Sequence, residues 1–438
     1  MQHYRLTTEN IDEVLADLRA GGAESAPAEL EAVVAEIIGR VREEGDQALI
    51  DYNRRFDCPD FTGDMLAVPP EETAAALEQA PGALVEALKL AADNIRFFHQ
   101  HEMRGGWNSM MRQSQMLGQR MMPVDRVGLY VPGGGASYPS SVLMTAIPAQ
   151  VAGVRDLFIC TPPDSRGNIN SAVLAAAALL EIDEVYRVGG AQAVAAMAFG
   201  TDAIHPADVV CGPGNVFVTE AKRQVYGQVG IDGLAGPSEV LIIADESARP
   251  ELIAIDLLAQ VEHGSGAIAA VVCWSEKKAA AVEEILGMQA AELGIPAEQV
   301  ERAAIITIEG AEDPLALAIA FSNRFGPEHL QIHTDQPEQD VHDVTCAGAV
   351  FLGENTCTAY GDYIAGSNHV LPTGGSARFT SGLSVDNFMR KVAVISLIPQ
   401  AIAELTPSLE EIAGTEGLKA HARAARMRQE LFVPREEE

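Results

Sequence analysis

The sequence predicts an α/β protein with two parallel-sheet domains and helical segments at both ends. Three observations carry that expectation. Short apolar runs alternate with helical stretches from residue 126 to 227 and again from 237 onward, the pattern of a parallel sheet covered on both faces. Several runs of the first set end in Gly-rich turns. The flanking stretches instead repeat their apolar residues at three and four.

Residues 9–50 read as helical, with Ile11, Val14, Leu15 and Leu18 and then Leu30, Val33, Val34, Ile37, Ile38 and Val41 at that spacing, interrupted by GGAESAPAE. Residues 71–102 continue this helical lead-in. RVGLYVPGG (126–134) is a strand ending in glycines. Strands RDLFICTP, EVYRVGG and DVVCGPGN follow, alternating with helices that begin at SSVLMTAIP, INSAVLAAA, AQAVAAMAF and VFVTEAKRQ. The second set runs from strand PSEVLIIAD through helix 250–263, strand AIAAVVCW, helix 276–293, strand AAIITIE, helix 312–323 and strands HLQIHT and AGAVFLG. Two α/β sets of similar make-up suggest a duplication. After residue 380 the chain reads as helical again, through SVDNFMRKV to TEGLKAHARAARMRQEL, with PREEE as a frayed end.

Thirty basic and sixty-two acidic residues give a formal charge of −32. Such a surface repels phosphate backbones and anionic lipids, so neither nucleic acid nor membrane is an expected partner. The start, MQHYRLTTENIDEVLADL, has no apolar signal core. The six cysteines include no CxxC pair, and Cys160, Cys211 and Cys273 sit in apolar, strand-like runs. They read as buried small hydrophobes, and a reduced, cytoplasmic protein is the expectation.

Three glycine loops, VPGGGASYPSS, VGGAQAV and CGPGNVF, each join a strand to a helix. Backbone N–H groups at such turns can face an anion, although none is GxGxxG and ordinary tight turns would look the same. In IDLLAQVEHGSG, Gln260 and His263 stand three apart on a helix, about 60° around it, and can point at one ion. Two exposed polar residues on an amphipathic helix are the simpler alternative. Asp362 and His369 lie in the loops AYGDYIAG and SNHVLPTGG. His421 follows Glu416 by five positions, so both face one pocket only if Glu416 sits at the start of the helix. A His/His/Asp set suits zinc, with Gln as an unusual neutral fourth ligand. In FGPEHLQI, Glu328 and His329 stand at a strand mouth, either as two solvated loop residues or as a proton-transfer pair.

The blocks GLYVPGGGASYPSSVLMTAIPAQVAGV, GGAQAVAAMAFGT, CGPGNVFV, AGPSEVLIIAD, DLLAQVEH, GPEHL, GDYIAGSNHVLPTGGSARFTSGLSV and EGLKAHA stand in the order they occupy in the histidinol dehydrogenase family. The chain resembles that family over residues 25 to 430. The resemblance implies two Rossmann-like parallel-sheet domains with helical N- and C-terminal segments forming smaller dimerisation domains. The divisions expected are residues 1–25 packing with the tail, 26–129 with 238–383 as the metal and catalytic domain, 130–237 on the NAD side, and 384–438 as a helical dimerisation segment.

It also implies oxidation of L-histidinol through L-histidinal to L-histidine, the last two steps of histidine biosynthesis, with two NAD and one Zn2+ per subunit. Gln260, His263, Asp362 and His421 look like the zinc ligands, and the zinc grips substrate nitrogens. Glu328 and His329 look like the acid–base pair. Ser238, His369 and Glu416 would help bind substrate, alongside His329 and the four ligands. Tyr130, Gln192 and Asn215 would bind NAD.

His329 suits removal of the alcohol proton, and Glu328 activation of water at the aldehyde stage. Neighbours on a strand face opposite ways, so the Gly326–Pro327 turn is expected to leave this start irregular. The family implies a homodimer, with His421 and Glu416 supplied in trans. The chain departs from the family at Gly264–Ser265, where Asp-Pro is usual, at Gly326, where Ala is common, and at Cys357, where Pro is frequent. A paralogous zinc/NAD dehydrogenase of another small polyol or sulfonated diol, and a zinc hydrolase using Glu328, are the alternatives.

Overall fold

All six residues of EVLIIA, Glu239–Ala244, are buried. Helices cover both faces of the sheet to which this strand belongs, which is why it reads as an unbroken apolar run and not an alternation. The computed structural model describes residues 1–22, 28–112, 114–133, 137–264 and 266–433. Part of the GGAESAPAE break, residues 134–136 of the first glycine loop, Ser265 and the expected frayed end from 434 lie outside the described residues.

The strands, in chain order, are β1 (Gln2–Leu6), β2 (Trp107–Met111), β3 (Gln115–Pro123), β4 (Arg126–Tyr130), β5 (Asp156–Thr161), β6 (Glu184–Arg187), β7 (Val209–Cys211), β8 (Gly230–Ile231), β9 (Glu239–Ala244), β10 (Ile268–Cys273), β11 (Ala304–Ile308), β12 (His329–His333), β13 (Ala349–Leu352) and β14 (Met389–Leu397). A five-stranded parallel sheet has the order β6-β5-β4-β7-β8, and a six-stranded one the order β1-β11-β10-β9-β12-β13. Without β1, the two orders are the same topology twice, as the duplicated α/β pattern of the sequence led one to expect. In each sheet the winding reverses between the first strand and the fourth, at β4/β7 and at β9/β12.

Leu241, Ile243, Leu330 and Ile332 pack on the sheet face covered by helices Ile11–Gly22 and Pro314–Phe325. Val240, Ile242 and Ala244 pack on the other, under helices Pro250–Val261 and Glu276–Leu293. Each such Leu or Ile contributes about 1.5–3 kcal/mol by leaving water. Cys160, Cys211 and Cys273 are buried within β5, β7 and β10, as expected.

The chain forms two compact units, Met1–Glu102 with Asp125–Phe388, and Met103–Val124 with Met389–Glu438. The first holds both parallel sheets. The second has an antiparallel sheet of order β14-β3-β2 and a pair of packed helices, Pro399–Thr415 and Lys419–Phe432. The terminal segments are thus largely helical, and each adds a strand that the sequence reading did not contain. QHYRL (β1) pairs in parallel with β11, and MRKVAVISL (β14) pairs along its full length with β3. Among the described residues no helix is long and apolar enough to cross a membrane.

Candidate active site

β9 and β12 are parallel neighbours, with His329 opposite Val240. Their starts therefore lie side by side, and the residues leading into them meet. Ser238 Oγ donates to Glu328 Oε2 at 2.7 Å, and the Glu239 backbone N–H donates to the same oxygen at 2.8 Å. Gly326 makes the approach possible. It ends helix Pro314–Phe325 with φ +59°, a left-handed conformation that glycine adopts without strain. Pro327 then turns the chain into β12. Both Glu328 and His329 are buried, which removes the reading of them as solvated loop residues.

The imidazole of His329 is held on both sides. Nδ1 lies 3.0 Å from the Glu239 carbonyl oxygen, which can only accept, so Nδ1 carries the proton. Nε2 faces Asp362 Oδ1 at 3.3 Å, and Glu328 Oε2 lies 3.5 Å from Nδ1. Burial alone would lower the His329 pKa, but the Glu328 and Asp362 carboxylates outweigh it and push it up to about 10 in the chain without a cation. Glu328 and His329 thus engage one cluster although they are sequence neighbours: β12 pairs in regular register from His329, and Glu328 precedes it.

Chain geometry explains how distant residues reach this edge. Helix Pro250–Val261 leaves the far end of β9 and returns over the sheet; its twelve residues rise about 18 Å, close to the length of the six-residue strand. Gln260 is therefore carried back to the edge where β9 begins. It is buried, and its amide nitrogen has no partner among the described residues. His263 lies in the turn just beyond the helix end, its N–H bonded to the Gln260 carbonyl at 3.2 Å, and it is exposed. Asp362 returns on helix Thr358–Tyr363 after β13. His369 Nδ1 lies 3.0 Å from the Asp362 carbonyl oxygen, and its Nε2 is 3.4 Å from Ser141 Oγ. Burial pushes the His369 pKa down. Beside it, buried Asn368 donates to the Met144 carbonyl at 2.7 Å and contacts His99 Nε2 at 3.2 Å, anchoring the loop.

Glu416 and His421 belong to the second unit and are exposed. They are not on one straight helix: Glu416 caps the end of helix Pro399–Thr415, the chain turns at Gly417, and His421 is the third residue of helix Lys419–Phe432. Among the described residues, no three His, Cys, Asp or Glu side chains are gathered to hold a metal.

The glycine loops occupy the C-terminal edge of the five-stranded sheet, where β4 and β7 flank the winding reversal. Ligands of α/β sheets bind at such a crevice. Tyr130, at the end of β4, is buried, and its hydroxyl accepts from Gly190 N–H at 3.1 Å. Burial pushes its pKa up to about 12. Gln192 is buried in the first turn of helix Gly190–Phe199, and Asn215 caps helix Val216–Val225 through Phe217 and Val218 N–H. A cavity of about 480 Å³ at this edge is lined by Pro132, Gly133, Thr161, Pro162 and Asn170 among others.

Two features were not legible in the sequence. Lys222 and Asp232 form a buried ion pair, and both also bond Gly212, through its carbonyl at 3.1 Å and its N–H at 2.7 Å. This clamps the third glycine loop, where a Cβ on Gly212 would lie 2.0 Å from the Tyr130 carbonyl oxygen. The other is Glu239, a buried carboxyl whose pKa is raised to about 7 by burial and by Glu328. An acid heading an otherwise apolar strand, just as Glu328 precedes β12, was the signal available for it.

The histidinol dehydrogenase family model matches residues 22–429. A histidinol dehydrogenase of Thermosynechococcus vestitus is 46% identical over 400 residues, covering 91% of this chain and 93% of its own. One from Methanothermobacter thermautotrophicus is 46% identical, covering 90% and 92%. The crystal structure of histidinol dehydrogenase from Elizabethkingia anophelis superposes with a TM-score of 0.91 at 35% identity, covering 98% of both chains. A family match across most of the length, with relatives this similar over nine-tenths of it, establishes that the chain belongs to the histidinol dehydrogenase family.

Proposed function

We propose that this oxidoreductase converts L-histidinol through L-histidinal to L-histidine, the last two steps of histidine biosynthesis, with two NAD consumed. The observation that carries the reading is the junction of Ser238, Glu328, His329 and Asp362 at the mouths of β9 and β12, in a chain of this family. A two-stage oxidation needs an acceptor for the alcohol proton and a base to activate water for the aldehyde. The junction supplies one buried group for each.

The donor set fits zinc. Gln260 presents a buried amide with an unpaired nitrogen, free to set its oxygen toward an ion, and His263, Asp362 and His421 offer the imidazole and carboxylate donors that zinc takes. The backbone N–H groups of the glycine loops at the C-terminal edge of the five-stranded sheet fit a dinucleotide, with Tyr130, Gln192 and Asn215 as its contacts, and the cavity between the loops after β4 and β5 adds room at the same edge. When bound, NAD would supply the hydride acceptor for each stage and zinc a Lewis acid to hold the substrate's nitrogens.

The protein's own groups then divide the work. With Nδ1 fixed on the Glu239 carbonyl, His329 exchanges protons through Nε2. A cation held by Asp362 would offset that carboxylate's pull on the ring and so favour the neutral form a base requires. Glu328 keeps Oε2 on Ser238 and Glu239, leaving Oε1 to take a proton from water at the aldehyde stage. His369, held by Asp362 and Ser141, serves as a substrate contact together with Ser238 and Glu416.

Glu416 and His421 read as contributions to the site of a second copy in a homodimer. They are exposed on the second unit, and that unit also leaves Ile395, Ile412, Leu431 and Phe432 open to water, an apolar surface suited to burial between copies. The acidic surface and the reduced cysteines fit a cytoplasmic enzyme.

The test adds limiting L-histidinol to the zinc-loaded protein with excess NAD. Two NADH per histidinol is the expected yield. One would mean the aldehyde is released, and none would overturn the reading.

A further inference from the structure

Glu239 stands where three chain segments meet. Its backbone N–H donates to Glu328 Oε2 at 2.8 Å, and its carbonyl oxygen lies 3.0 Å from His329 Nδ1. Its side chain does different work. Oε2 accepts from the Glu328 backbone N–H at 3.3 Å, and Oε1 accepts from Gly374 N–H at 3.1 Å. The two glutamates thus exchange bonds, each carboxylate taking the other's backbone N–H. These N–H groups lie at the strand mouths, where buried donors need partners outside the regular ladder. Gly374 belongs to the segment that follows His369, and Gly236 N–H reaches the same segment through Thr373 Oγ1 at 2.5 Å. Ser238, the Glu328–His329 pair and His369 therefore sit on three segments tied together at one buried carboxylate.

We propose that Glu239 is a positioning residue for the oxidation, acting through Glu328: its carboxylate holds the Glu328 backbone and the segment after His369 in the register that sets Glu328 toward the substrate. The inference rests on the reading of Glu328 as the base of the aldehyde stage. Geometry gives it a selective signature. The bond to His329 comes from the Glu239 backbone and survives a change of side chain, whereas the bond to the Glu328 N–H comes from the carboxylate. In Glu239→Gln, an isosteric change, one of the two oxygens becomes an NH2 that meets an N–H, and one bond is lost.

The experiment uses the zinc-loaded dimer and measures turnover of L-histidinal separately from the first hydride transfer from L-histidinol. In Glu239→Gln, kcat for histidinal is expected to fall about tenfold or more, a part of what a general base supplies. The first hydride transfer should stay within about threefold, and KM for histidinol should barely move. Combined with Glu328→Gln, the second change should cost almost nothing further, because a residue that acts through another is not additive with it. Equal losses in both stages, or additive losses in the double variant, would overturn the proposal. Glu239→Asp, which keeps the charge but shortens the reach, should also lose histidinal turnover; full activity there would count against it. Wild-type enzyme run in parallel separates the two claims: if it makes no NADH from histidinol, the functional reading fails and not merely this one.

Discussion

Ser238 donates its hydroxyl to Glu328 Oε2 at 2.7 Å although ninety positions separate them in the chain. The contact exists because β9 and β12 start side by side, and it fixes one oxygen of a buried carboxylate. Ser238→Ala should remove that bond without opening a large void. The expected outcome is a loss of about 1–3 kcal/mol of stability, since Glu328 keeps its place but loses a partner, and slower histidinal turnover. Chemical denaturation alongside the aldehyde assay checks both.

Lys222→Met should be costly far from the reacting groups. Lys222 and Asp232 are both buried, and the change leaves Asp232 as an unpaired charge, which costs about 3–5 kcal/mol. Because the pair also holds Gly212, KM for NAD should rise as the third glycine loop loosens. Adding Asp232→Asn should recover much of the stability in urea titrations but not the NAD affinity.

The buried carboxyl of Glu239 makes stability depend on pH in a definite direction. Its folded pKa, about 7, lies above the ordinary value of 4.5. The folded state therefore holds a proton that the unfolded state has released, and stability falls as pH rises from about 4.5 to about 7. His333, buried and pushed down to about 4, acts oppositely: its contribution grows between pH 4 and its ordinary value of 6.5. Glu239→Gln should flatten the decline toward pH 7, while the rise due to His333 remains. Melting curves of metal-free protein across this range read the difference.

Mixing His329→Ala chains with His421→Ala chains tests supply in trans. If each site takes His329 from one copy and His421 from the other, a mixed dimer has one intact site. Random exchange then restores about a quarter of wild-type activity. No recovery would place both groups in the same copy's site.

Much of the fold was legible because parallel strands covered on both faces read as unbroken apolar runs, as in EVLIIA and IAAVVC, and the helices between them kept their period. What escaped depended on distant partners. QHYRL is five residues long and is a strand only because β11 offers an edge, and MRKVAVISL needs Gln115–Pro123, far back in the chain. The site shows the same division. Glu328 and His329 stood out as an acid and an imidazole after a Gly–Pro break. Glu239 was overlooked because a lone acid at a strand start looks solvated until the neighbouring strand is in place. The spacing of Gln260 and His263 put both on one helix, whereas the helix ends at Val261 and His263 stands in the turn that follows, a boundary that periodicity alone does not fix.

The most direct test of the division of labour at the strand mouths is the NADH yield of Glu328→Gln with limiting L-histidinol. The account predicts that one NADH forms per histidinol at a rate near that of the wild type, after which histidinal accumulates. Two NADH per histidinol at an undiminished rate would contradict it.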